Sequence, residues 1–348
     1  MSDGDEPSNT MRDRVGESRV KLWLLMDANR WFATALPLAL VFVTLVALGV
    51  ADPAPIRGSW SLKDPIETAF QGFLTAIITG VTLVVTINQL VLSQELGPLG
   101  DQRERMAGAM EFREDVEEVL GVSAVPPEPS AFLRAFTEGI RERANGLSET
   151  VDETNGESTT ESEAVVHEYV DGLAGNATEV SDQLEDEQFG TFDVLFAALN
   201  FNYSWKIYEG RRIRNKYADS LSERTREEFD ELLETLKFFG PTREHFKTLY
   251  FQWELINLSR TMLYTSVPAL IVATAMILYA DNPGSIQGFT AGVDNVVWVV
   301  SSAVTVALVP FMVLLSYVLR IATVAKRTLS IGPFILRSVN RSEDLEWE

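Results

Sequence analysis

Cysteine is absent from this chain, which excludes disulfides, thiol redox chemistry and cysteine-based metal sites. Histidine is nearly absent as well. His167 and His245 stand isolated in sequence, and both are read as structural. No GxxxxGKS/T phosphate loop, HExxH pair or GxSxG elbow occurs, and carboxylates are too numerous for any acid pair to stand out. The chain is therefore expected not to be an enzyme, and no cofactor or metal is expected. Lysine is scarce too: seven Lys contribute to 29 basic residues, against 50 acidic ones and a net charge of −21. The basic footprint of a nucleic-acid-binding protein is missing, so nucleic acid is not an expected partner.

This acid excess has two readings. Carboxylates keep a surface hydrated in molar salt, a halophilic adaptation. The rival is an acidic surface that recruits cations or a basic partner. In molar salt the Debye length falls to about 3 Å, which screens long-range attraction and favours the first reading.

What the chain does have is long apolar runs. Trp31–Val50, Ala69–Leu92, Met262–Ala280 and Val296–Leu319 contain no Asp, Glu, Lys, Arg or His. Each approaches or exceeds the roughly 20 residues that a bilayer helix requires. The first begins after about thirty polar residues and no small-residue cleavage site follows it, so it reads as a span and not as a signal peptide.

The fold class expected is all-α: a polytopic membrane protein with four transmembrane helices. A mostly helical cytoplasmic domain is expected between the second and third. Orientation follows from the Lys/Arg bias. The N-terminal segment carries Arg12, Arg14, Arg19, Lys21 and Arg30, and the C-terminal tail Arg320, Lys326, Arg327, Arg337 and Arg341. The loop Ala51–Glu67 has only Arg57 and Lys63, and Asp281–Asn295 has none. Both tails are therefore expected in the cytoplasm, with the turns "ADPAPIRG" and "DNPGSIQG" outside a cell membrane. The organisation read is a cytoplasmic segment 1–30, a transmembrane hairpin 31–93, a cytoplasmic helical domain 94–258, a second hairpin 259–322, and a cytoplasmic tail 323–348.

Within the central segment, "DQRERMAGAMEFREDVEEVLG" sets Met106, Met110, Val116 and Leu120 on one side of an amphipathic helix. Ser130 is a candidate N-cap of the next helix. Residues 148–163, dense in acids, Ser and Thr, read as a disordered loop. Helices follow at about 164–186, 191–218 and 222–239, and Gly240–Pro241 is expected to break the chain. A last amphipathic helix with Phe246, Leu249, Tyr250, Trp253 and Ile256 runs into the third span. Gly97–Pro98 ends an extension of the second span. Such extensions would couple domain movement to the membrane bundle, or serve as a passive stalk.

The second span holds the candidate site. Thr68, Gln71, Thr75, Thr79, Thr82, Thr86, Gln89 and Ser93 recur every three or four residues. At 100° per residue all eight fall within an arc of about 80°. Every residue in that arc is polar, and Asn88 is the one polar side chain outside it between 68 and 93. A hydroxyl presents donor and acceptor groups without fixed charge, which suits a wet pore. It also suits dry packing between helices, at about 0.6 kcal/mol per interhelical bond. Gly72, Ala76 and Gly80 add a small-xxx-small edge that favours close helix contact. The stripe runs the full membrane depth, whereas packing needs only one or two crossing points. Pro37, Pro268 and Pro310 interrupt the other three spans but not this one.

Shorter polar patches, Ser301, Ser302 and Thr305 in the fourth span and Tyr264, Thr265 and Thr274 in the third, are read as interhelical hydrogen-bonding groups. Arg211, Arg212, Arg214 and Lys216 are candidate contacts for lipid phosphates, or salt-bridge partners for nearby acids. Asn-X-Ser/Thr matches at Asn176, Asn202 and Asn257 carry little information. No intramembrane charge occurs, which disfavours proton-driven pumps and motor stators.

Residues 64–106, "DPIETAFQGFLTAIITGVTLVVTINQLVLSQELGPLGDQRERM", resemble a block of uncharacterised haloarchaeal integral membrane proteins, which implies an archaeal, halophilic source and membrane class but no activity. The layout is similar to bestrophin-type anion channels in topology alone: both termini inside, four spans, a large cytoplasmic portion between the second and third, and a pore lined by the second. No bestrophin motif matches residue by residue, and Thr stands where that family's second span carries aromatic gate residues. The function expected is an oligomeric, channel-like protein whose second helix forms an uncharged path for ions or small solutes. Its partners would be the lipid bilayer, copies of itself and inorganic ions. The alternative is a non-conducting scaffold or signalling adaptor whose stripe is interhelical packing.

Overall fold

Asn29 starts the first helix by accepting the N–H of Trp31 on its side-chain oxygen at 2.9 Å, and α1 runs Arg30–Ala51. The computed structural model describes residues 23, 29–52, 54–62, 64–155, 161–185, 192–280 and 286–327. Nearly all of the expected cytoplasmic segment 1–30 and tail 323–348 lies outside them. After α1 come α2 (Ala54–Leu62), α3 (Asp64–Glu95), α4 (Leu99–Leu120), α5 (Pro129–Asn155) and α6 (Glu161–Leu184). They are followed by α7 (Phe192–Asn200), α8 (Tyr203–Lys216), α9 (Glu223–Tyr279), a short hairpin β1 (Phe289–Thr290) and β2 (Val293–Asp294), and α10 (Asn295–Arg327). Among the described residues four helices, α1, α3, α9 and α10, contain stretches long and apolar enough to cross a membrane. This is a multi-pass membrane protein, predominantly helical among the described residues.

The chain forms two compact units, one around Gly97–Tyr250 and one from Arg19–Leu96 with Phe251–Lys326. The first is a helical bundle. Its core gathers Phe136, Leu147, Tyr169, Phe201, Phe229 and Phe239 from α5 to α9, all buried.

Several boundaries differ from the expectation, each for a reason in this core. The stretch 148–163 is helical as far as Asn155 and again from Glu161, because Thr150 and Val151 on α5 and Ser162 on α6 are buried; residues 156–160 lie outside the described residues. Local composition predicts a loop there, and packing of the paired helices overrides it. The predicted helix 191–218 breaks at Phe201–Asn202. Asn176 on α6 satisfies the released backbone, donating to Asn200 O at 3.3 Å and accepting the N–H of Asn202 at 3.3 Å. Conversely, Gly240–Pro241 does not break α9. Proline forfeits one helical bond, yet Phe239 is fully buried on one side and Thr242 donates back to Phe238 O at 2.9 Å. Gly240 lies against the Tyr203 ring, where an added Cβ would come within 3.2 Å of ring atoms. Glu128, not Ser130, caps α5: its carboxylate accepts the N–H of Ala131 at 2.7 Å and the Ser130 hydroxyl at 2.6 Å. On α4, Val116 is buried as expected, but Met106 and Met110 are exposed.

In the second unit, α3 presents one seam to its neighbours. Ile66, Phe70, Ile77 and Val84 are buried. Ile66 and Phe70 pack with Trp60, Ala273, Met276, Val296, Ala303 and Ala307. Val84 packs with Leu258, Met262, Val313 and Tyr317. In lipid this close packing, and not transfer from water, holds helices together. Gly49 on α1 makes the tightest approach, lying directly against the Val297 side chain of α10. The hairpin turn uses positive φ at Ala291 (54°) and Gly292 (80°), as a two-residue turn requires. The sequence pattern had suggested no strand.

Candidate functional site

The stripe is positioned by the seam opposite it. At 100° per residue, Ile66, Phe70, Ile77 and Val84 fall about 180–220° from the centre of the stripe. Burying that seam turns the polar arc outward. Thr68, Gln71, Thr75, Thr79, Thr82, Thr86, Gln89 and Ser93 are all exposed in the single chain. The four membrane helices of one chain therefore do not cover it.

Its hydroxyls are organised. Thr79 donates to Thr75 O at 2.8 Å, Thr82 to Ile78 O at 2.9 Å, Thr86 to Thr82 O at 2.8 Å and Ser93 to Leu90 O at 2.7 Å. These protons point back into the helix, and the oxygen lone pairs are left facing out. At the start of the stripe, Gln71 donates its amide to the Glu67 carboxylate at 3.1 Å. Exposed apolar residues flank the arc on both sides, Ile78 and Leu92 on one and Leu83 and Leu90 on the other. The small edge lies on the second flank. A Cβ added at Gly72 would meet nothing within 4 Å, while Gly80 already borders Met262.

The polar patches of the other spans serve differently from expectation. Thr265 and Thr305 bond within their own helices, to Thr261 O at 2.9 Å and Ser301 O at 2.7 Å. Tyr264, Ser302 and Thr274 are exposed. A cross-helix bond forms instead between Thr34 of α1 and Ser316 of α10, at 3.3 Å. Backbone carbonyls one turn away satisfy Thr265 and Thr305 without a neighbour's help, while the buried Ser301 hydroxyl has no hydrogen-bond partner.

Of the basic cluster on α8, Arg214 pairs with Asp230 at 2.5 Å, Lys216 lies 5.0 Å from the centre of the Tyr217 ring, and Arg211 and Arg212 are exposed. His167 bridges α5 and α6: its Nδ1 is 2.8 Å from the Ser148 hydroxyl and its Nε2 3.1 Å from Asp152. His245 is exposed beside Phe246. Asn176 and Asn202 are buried in the bond network already described.

The pattern did not single out a charged cluster in the second unit. Arg30 pairs with Glu254, and its guanidinium lies 4.1 Å from the centre of the Tyr317 ring. The available signal was Arg30 at the head of the first apolar run and Glu254 on the amphipathic approach to the third. Asn88, the polar exception on α3, has its side-chain oxygen buried without a hydrogen-bond partner. Among the described residues no group of three or more His, Asp or Glu is placed to hold a metal ion.

Compared with known proteins, the chain matches one family profile over residues 1–348, and that family is described as being of unknown function. No curated protein and no solved structure matches it.

Proposed function

For this chain, which belongs to the family of unknown function DUF7972 along its whole length, we propose a homo-oligomeric membrane conduit with α3 facing the axis. The observation that carries this reading is the exposure of all eight stripe residues on a helix whose opposite seam is buried. A polar line at membrane depth is stabilised by water or by other protein, not by hydrocarbon. The chain's own helices leave it open, so further copies are the covering. The flanks suit a ring. Open Gly72 on one flank leaves room at its own depth for the opposite flank of the next copy, a head-to-tail contact that closes by rotation. The stripe between those flanks then meets itself across an aqueous axis.

In this reading the tails and the helical unit around Gly97–Tyr250 lie in the cytoplasm, following the Lys/Arg bias of the termini. Exposed Arg211 and Arg212 would be available to lipid phosphates. A dry reading, in which copies pack stripe against stripe as a non-conducting scaffold, draws support from the hydroxyls already satisfied by their own helix.

Native mass spectrometry of the intact protein in detergent tests the shared premise. The proposal expects a ring of at least three copies, dispersed to monomer by Gly72→Ile. A monomeric wild type at all detergent levels would contradict it.

A further inference from the structure

The geometry points to an inorganic cation as the species that the α3 stripe carries, an inference that rests on the conduit reading. Hydroxyls are neutral, but their orientation is not. Thr79, Thr82, Thr86 and Ser93 each spend their one proton on a carbonyl of their own helix. What they offer the axis is oxygen lone pairs. An oxygen acceptor replaces the hydration water of a cation, whereas an anion requires a donor. Gln71 commits one of its two amide N–H groups to Glu67, so the free donors of the stripe are confined to Thr68, Gln71, Thr75 and Gln89, and the acceptor run is Thr79, Thr82, Thr86 and Ser93.

Charge points the same way independently. From Asp64 to Gln102 the chain has no Lys or Arg, and its charged residues are Asp64, Glu67, Glu95 and Asp101. Carboxylates are therefore the charged groups nearest the stripe in sequence at both ends, Glu67 before it and Glu95 after it, with Lys63 and Arg103 the next basic residues outward, and Glu67 is held at its first turn. Such an arrangement concentrates cations and repels anions at the mouths of a path. With no charge within the membrane-deep part, a cation meets weak, repeated acceptor sites spaced about one turn apart, which permits entry without trapping.

The test is current measurement on the full chain in planar bilayers of uncharged lipid under a KCl gradient. A reversal potential displaced toward the potassium equilibrium potential is expected. Displacement toward chloride, or none, overturns cation preference and leaves the conduit standing. Absence of current at every voltage and salt tested overturns the conduit itself. Glu67→Gln is expected to reduce the displacement more at low salt than at high salt. The double variant Thr79→Val/Thr82→Val is expected to lose most of the potassium current, and Thr79→Ser/Thr82→Ser to keep it. An unchanged valine variant overturns the acceptor argument.

Discussion

Arg57 sets Nε and one Nη on the same carboxylate oxygen of Asp294, at 2.7 and 2.6 Å, while the other oxygen of that carboxylate accepts the N–H of Val296 at 3.0 Å. One buried carboxylate thus caps α10 and tethers α2. Asp294→Ala loses the cap and the ion pair together, whereas Arg57→Ala keeps the cap, and the 42% exposure of the Arg57 side chain discounts the pair. Asp294→Ala is expected to cost about 1–2 kcal/mol. Arg57→Ala should cost less. Thermal unfolding in detergent followed by circular dichroism checks the order, with the lower Tm in Asp294→Ala.

Gly49 lies where a Cβ would come within 2.5 Å of Val297 Cγ1 and 2.8 Å of Cγ2. Val297 is buried and has no open side to move into. Gly49→Ala is expected to destabilise the second unit by about 1–3 kcal/mol through overpacking. Val297→Ala placed in the same chain should recover part of that loss. A double-mutant cycle on thermal unfolding reads the coupling.

Tyr169 is buried in the helical unit and donates to Lys206 O at 3.0 Å. Burial, reinforced by the Glu209 carboxylate, holds its phenol well above the ordinary value. The folded state thus favours the protonated ring, so the stabilisation is complete below about pH 10 and is lost as pH rises beyond it. Tyr169→Phe is expected to cost about 1 kcal/mol near neutrality, with the gap narrowing and then inverting in alkaline solution. Urea unfolding of the full chain as a function of pH measures it.

The net charge of −21 gives a salt prediction. Self-repulsion among surface carboxylates falls as ions screen them. Raising KCl from low to molar concentration should therefore raise Tm steadily. A Tm independent of salt would remove the halophilic reading of the acidity and leave the partner-binding one.

The four spans were legible because a run of apolar residues without charge has few other fates, and α1 and α10 begin one residue before the runs that foretold them. Boundaries within the helical unit were not. The join of α9 through Gly240–Pro241 depends on Phe239 and Tyr203 meeting across the core, and the break at Phe201–Asn202 on Asn176 arriving from another helix. Both are contacts distant in sequence that local propensity does not encode. The stripe itself was plain from its period. Its exposure was not, because that follows from which face of α3 the neighbouring helices bury.

A cysteine-free chain offers a direct test of whether the stripe is wet. Thr82→Cys and Leu83→Cys occupy adjacent, exposed positions on α3, one in the arc and one on its flank. Each is introduced alone and treated in intact proteoliposomes with a cationic, water-soluble thiol reagent. The conduit account predicts rapid modification of Thr82→Cys and none of Leu83→Cys, since the reagent reacts only with a thiolate in water. Equal inertness at the two positions would contradict it.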